Sequence, residues 1–160
     1  EGISAKRSGT ILFIYQIFVL GSVMVTPLFI QRLRDQRWIG PALSSMILLA
    51  YLGLYLHPEG ALLWMILMGM GAGGSLVLAI TLFSLRAATV DDSVALSGMA
   101  QAIGYTMAAV VPIAIGFIHD LTHNWEVPLL LMIMLAMLQL AMGYLSGRQL
   151  TVRATQQPAQ

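Results

Sequence analysis

Cysteine is absent from this 160-residue chain, which removes disulfides, thiolate metal sites and thiol nucleophiles. Charge is almost as scarce. Eight Lys and Arg and seven Asp and Glu make up 9% of the residues, against about a quarter in soluble domains. So few ionic groups cannot cover a water-facing surface, so the natural solvent of this chain is lipid. The formal net charge of +1 is too small to point to a nucleic-acid partner. No cleavable leader stands out either, because the first apolar run, from Thr10, is long and others like it follow. The chain opens on Glu1 rather than Met, which reads as a piece of a longer protein.

What is present is apolar: 58% hydrophobic residues and a mean hydropathy of +0.82. Five uncharged segments, about 10–30, 38–56, 61–85, 93–118 and 127–146, each approach or exceed the ~20 residues a helix needs to cross a bilayer. All fifteen charged residues lie outside them. The expected fold is an all-α integral membrane protein with a five-helix bundle over 1–147 and a polar tail over 148–160. Short connections (31–37, 57–60, 87–92 and 119–126) make neighbouring helices antiparallel. Arg32, Arg34, Arg37, Arg86, Arg148 and Arg153 fall on one side, and only Lys6 and Arg7 on the other. The positive-inside rule then places the N-terminus of the segment outside and its C-terminus in the cytoplasm.

Local chemistry marks the span ends. Asp91, Asp92 and Ser93 precede the fourth span, where they suit free N–H groups and the positive dipole end. Pro41 and Pro128 occupy first turns, where the missing N–H costs little. Trp38, Tyr55 and Trp125 sit at span ends as an aromatic belt does.

Inside the spans, Gly69 and Gly73 make a small-xxx-small pair, which suits a moving or a static close helix contact. A nucleotide-binding glycine loop is excluded by the membrane depth and the lack of a preceding strand. Gln101 and Tyr105 are four apart and share a helix face. A Gln amide in lipid needs partners, so it meets either a substrate or another helix. Pro112 removes a backbone bond and can kink its span. Tyr15 and Gln16 sit near the middle of the first span, eleven residues before Pro27, as Gln101 precedes Pro112; this hints at a repeated unit. Thr81 and Ser84 offer hydroxyls toward the cytoplasmic end of the third span. His57, His119 and His123 are expected on the external side near Glu59, Asp120 and Glu126, either as a pH-sensing or metal-binding cluster or as solvated loop residues. An intramembrane serine protease is excluded by depth: Ser75 lies roughly 21 Å into its span, while His119 lies at the surface.

The stretch SLRAATVDDSVALSGMAQAIGYTMAAVVPIAIGFIHDLTHNWEVPL and the loop FIQRLRDQRWIG resemble the major facilitator superfamily, and within it the cyanate and nitroimidazole permease branch. The most specific piece is Leu96-Ser97-Gly98-Met99-Ala100-Gln101 with Gly104-Tyr105, then Gly116, His119-Asp120 and Trp125. The resemblance covers essentially the whole chain and implies helices eight to twelve of a twelve-helix, alternating-access transporter. It implies a cavity lined by the helices of Gln16, Thr81, Gln101 and Tyr105, which become the candidate substrate residues, with Gly69, Gly73, Gly104 and Pro112 shaping helix packing. It also implies that the second and fifth spans face lipid. The segment 33–37 resembles the superfamily's charged cytoplasmic motif but lacks its glycines, so a positive-inside anchor is the expected role.

Together these features predict part of a secondary transporter in a bacterial inner membrane. The expected solute is small and polar or weakly anionic, cyanate- or nitroimidazole-like, because the visible wall offers amides, hydroxyls and Tyr and no ionisable group. No enzyme activity, cofactor or metal is expected. The expected partners are the substrate, the bilayer and seven further helices of the same transporter. The alternative is a five-span scaffold or assembly subunit, in which Gln16 and Gln101 are interhelical hydrogen bonds. A channel fits less well, for want of a ring of charges or a carbonyl-filter sequence.

Overall fold

Backbone polar groups cannot be left bare in lipid, so apolar segments of this length must wind into helices. The computed structural model, which describes residues 5–32 and 38–146, contains five of them. They are α1 (Ala5–Arg32), α2 (Ile39–Leu56), α3 (Ala61–Arg86), α4 (Val90–Thr122) and α5 (Glu126–Ser146), with a 3-10 turn at Pro58–Gly60 between α2 and α3. There is no strand among the described residues, and all five helices are long and apolar enough to cross a membrane. The charged segment 33–37 and the tail 148–160 lie outside the described residues, and with them Arg34, Arg37, Arg148 and Arg153.

α1 and α4 outrun their uncharged segments. At 33 residues, α4 is about 50 Å long, well beyond a hydrocarbon core of ~30 Å. Its first turn therefore takes in Asp91 and Asp92, and its last turns His119 and Asp120. Loss of charge marks where lipid contact begins, not where a helix starts. The expected cap at Asp91, Asp92 and Ser93 is accordingly moved: Thr89 caps α4, its Oγ1 accepting from the Asp92 N–H at 3.1 Å. The two aspartates in the first turn still favour the positive end of the dipole.

α3 is the central element. α1 packs along one side of it and α2 along the other, α5 packs on α2, and α4 touches α3 and α5 only sparsely. Small residues make these approaches possible where apolar burial gives no drive for association in lipid. A Cβ on Gly69 would stand 2.7 Å from the Tyr15 carbonyl oxygen, and one on Gly73 would strike the Val19 carbonyl. On the other side, a Cβ on Gly71 would stand 2.8 Å from the Leu43 carbonyl oxygen, and one on Gly74 2.5 Å from the Leu43 Cδ2. The glycine run thus serves two seams, one toward α1 and one toward α2. Ser22 adds a hydrogen bond across the first, its hydroxyl donating to the Met70 carbonyl at 2.6 Å. Gly40 and Gly143 bring α2 and α5 together in the same way, a Cβ on Gly40 meeting the Gly143 carbonyl oxygen at 3.0 Å. A small core of Ile30, Ile39 and Leu78 closes one end of the α1–α3–α2 assembly.

Candidate functional site

Seam positions on α3 divide its surface into two faces. Gly69 and Gly73 point to α1, and Gly71 and Gly74 to α2. Between them on one face is Met70, which lines a cleft of about 400 Å³ with Ile17, Phe18, Gly21 and Phe29 of α1 and Leu43 and Met46 of α2. Thr81 is eleven residues beyond Met70, about three turns, and so lies on this cleft face. Its hydroxyl is returned to its own helix, donating to the Val77 carbonyl at 2.8 Å. Gln16 is exposed and is absent from the cleft lining; at 100° per residue it lies on the other flank of the Tyr15–Val19–Ser22 seam. Ser75 is half-buried and falls on the α3 face away from the cleft, on the same flank as Gln16.

α4 is unlike its neighbours. None of its residues is buried, and residues 101–110 are exposed without interruption. Its surface is nonetheless divided. Ser97, Gln101, Gly104, Tyr105, Ala108 and Pro112 follow steps of three and four residues and form one stripe of small and polar groups. Met99, Ile103, Val110 and Phe117 form the opposite stripe, each at least half exposed. Within the polar stripe the Gln101 Nε2 donates to the Ser97 Oγ at 3.1 Å, and Tyr105 is 72% exposed. A Cβ on Gly104 would have no heavy atom within 4 Å, so no described helix approaches it. Pro112 is exposed within the continuous α4.

The structure therefore gathers Gln101 and Tyr105 on one face and keeps Gln16 and Thr81 apart on opposite flanks of the α1–α3 pair. α1 and α4 share no substantial contact, and no hydrogen bond joins any two of the four among the described residues. Ser75 has no motif to announce it. Its side emerges only once the two glycine seams of α3 are known.

The three histidines are built into local structure. His119 ends α4 with its ring stacked on Trp125 at 4.1 Å and its Nδ1 3.2 Å from the Asn124 carbonyl, the N–H tautomer donating. His123 takes the left-handed conformation, with φ 51°, that closes the helix, and the Thr122 hydroxyl donates to the same Asn124 carbonyl at 3.1 Å. His57 ends α2, and its carbonyl accepts from the Trp64 indole N–H at 2.9 Å.

Known proteins resemble this sequence. The chain is 35% identical over 153 residues to the 2-nitroimidazole transporter of Escherichia coli (strain K12), covering 96% of this chain and 39% of that protein. It is 39% identical over 150 residues to the transporter YycB of Bacillus subtilis (strain 168), covering 92% of this chain and 37% of that one. A Thauera aromatica protein named as an anionic 4-hydroxy-benzoate permease is 35% identical over 111 residues, covering 69% of this chain and 68% of its own length. The chain thus spans about two-fifths of the length of the first two relatives. No protein-family model matches it, and no solved structure does.

Proposed function

This chain belongs to the family of membrane transporters and permeases that those relatives represent, and from that premise we propose that it forms part of the C-terminal half of a major-facilitator-type secondary transporter. In this reading it supplies one wall of an alternating-access pathway across the bacterial inner membrane. The observation that carries the reading is α4, whose Gln101–Tyr105 stripe is bare at membrane depth. A side-chain amide facing hydrocarbon is costly, so this face needs either a wet cavity or further helices. Relatives more than twice as long as this segment supply room for both.

The substrate is small and polar or weakly anionic. The amide of Gln101 and the hydroxyls of Tyr105 and Ser97 offer donors and acceptors without fixed charge, which suits a nitroimidazole or a delocalised anion. The names of two relatives, a 2-nitroimidazole transporter and an anionic 4-hydroxy-benzoate permease, support that class. Gln16 and Ser75 contribute from the α1–α3 flank away from the cleft, and Thr81 is the weakest of the proposed contacts. Gly69 and Gly73 hold the α1–α3 seam, while Gly104 and Pro112 shape the face that meets the rest of the transporter.

Uptake of radiolabelled cyanate and of 2-nitroimidazole into cells expressing the full-length protein tests this directly. Gln101→Ala and Gln16→Ala each lower the initial rate at least several-fold at equal amounts of protein in the membrane. Unchanged kinetics in both variants would remove the site from these helices.

A further inference from the structure

We propose that the cleft between α1 and α2 is a binding site for one acyl chain of an anionic phospholipid, with Arg32 holding the headgroup phosphate. The proposal concerns the cleft face, away from the Gln101 stripe, and stands whether or not the transport reading does.

α1 and α2 both pack on α3 but share no substantial contact with each other, which leaves a trough over Met70. Its lining is apolar apart from Ser22 and Thr26, and both of these are already occupied or withdrawn. The Ser22 hydroxyl donates to the Met70 carbonyl, and Thr26 is 6% exposed. What remains is a dry, apolar channel of about 400 Å³. Along α1 it runs from Ile17 to Phe29, twelve residues or about 18 Å at 1.5 Å per residue. One leaflet is half of a ~30 Å hydrocarbon core, about 15 Å. The channel is as long as a leaflet is thick, which fits an acyl chain lying along the helix.

Charge complementarity identifies the lipid. Phe18, Gly21, Val25 and Phe29 repeat every three or four residues, and Arg32 continues the same stripe three residues past Phe29 and seven past Val25. Arg32 is exposed in the last turn of the helix, one turn beyond Phe29 on the lipid-facing edge of α1. A fixed cation at the mouth of an apolar channel selects a phospholipid of net negative charge over a zwitterionic one, and its planar donors suit a phosphate. Gly21 keeps the trough open, since a Cβ there would meet nothing within 4 Å. A side chain at that position therefore starts out into the trough from an unobstructed Cβ.

The test is native mass spectrometry of the full-length protein in detergent, titrated with phosphatidylglycerol, phosphatidylcholine or inorganic phosphate. The expected wild-type result is one retained phosphatidylglycerol, with a preference over phosphatidylcholine of about fivefold per basic residue at the headgroup. Arg32→Gln abolishes the preference while leaving weak binding of both lipids, and Arg32→Lys keeps most of it. Gly21→Phe lowers retention of both lipids with a melting temperature near that of the wild type. Equal retention of the two lipids by the wild type, or no change in retention in Gly21→Phe, overturns the proposal. Competition by inorganic phosphate alone, with acyl length irrelevant, overturns it too, because the site is then an anion site without a channel. No retained lipid in the wild type means that protein covers the trough, and the proposal fails.

Discussion

Ser22 and Tyr105 carry the same functional group in opposite circumstances. The Ser22 hydroxyl is spent on a carbonyl of the neighbouring helix at 2.6 Å, whereas the Tyr105 side chain is 72% exposed on a helix that touches its neighbours only sparsely. Interhelical hydrogen bonds in membranes are worth only about 0.6 kcal/mol on average. Ser22→Ala is therefore expected to lower the melting temperature slightly and to leave uptake at wild-type rates. Tyr105→Phe reverses that pattern. It keeps stability, but loses a substrate hydrogen bond worth about 0.5–1.5 kcal/mol, which raises the KM for uptake roughly 2- to 12-fold. A Tyr105→Phe protein with unchanged KM and kcat would remove Tyr105 from the substrate face. Spacing alone made the Gln101–Tyr105 pair legible, because four residues always share a helix face. Thr81 was not legible in this way. Its hydroxyl type suggested a pathway, but only the position of Met70 in the cleft shows which way that face of α3 is turned.

At the scale of the helix, glycine is the ambiguous letter. Gly69, Gly71, Gly73 and Gly74 are each pressed against a neighbouring helix, while Gly98, Gly104 and Gly116 of α4 have open space around them. Nothing in either run distinguishes the two situations, since a seam depends on a partner elsewhere in the chain. The lengthwise pattern was readable because lipid excludes charge from every span alike. The lateral pattern was not, and α3 proved to hold two seams where the spacing of Gly69 and Gly73 suggests one. A paired substitution separates the two kinds of glycine. Gly73→Leu drives a side chain into the Val19 carbonyl and is expected to cost about 1–3 kcal/mol, as overpacking does, visible as a lower melting temperature in detergent. Gly104→Leu in the 160-residue chain adds a Cβ that has no heavy atom within 4 Å and gains up to about 1 kcal/mol of helix propensity, so its melting temperature stays level or rises. Made in a chain that also carries the further helices proposed above, Gly104→Leu is expected to be destabilising, because in that reading the α4 stripe faces those helices or a cavity of fixed width.

For the molecule as a whole, orientation is decided by where the few charges lie. Among the described residues Lys6 and Arg7 mark one end of the bundle, with Glu59 in the turn between α2 and α3 and Asp120 in the last turn of α4 at that end, while Arg32 and Arg86 mark the other. Asp91 and Asp92 share the second end but weigh little, because the rule counts cations rather than net charge. The expected arrangement is therefore Lys6, Glu59 and Asp120 outside and Arg32 and Arg86 in the cytoplasm. The absence of cysteine makes this measurable without background from the segment itself. Glu59→Cys and Asp120→Cys are expected to react with a membrane-impermeant maleimide in intact cells. Thr89→Cys is replaced at the opposite end, at the start of α4, and is expected to react only after the membrane is opened. The three positions sit at the ends of helices α2, α3 and α4, so a single inverted hairpin would show as one discordant site. Complete reversal, with Thr89→Cys labelled from outside and the other two protected, would place Arg32 in the outer leaflet. The bundle would then be intact but upside down.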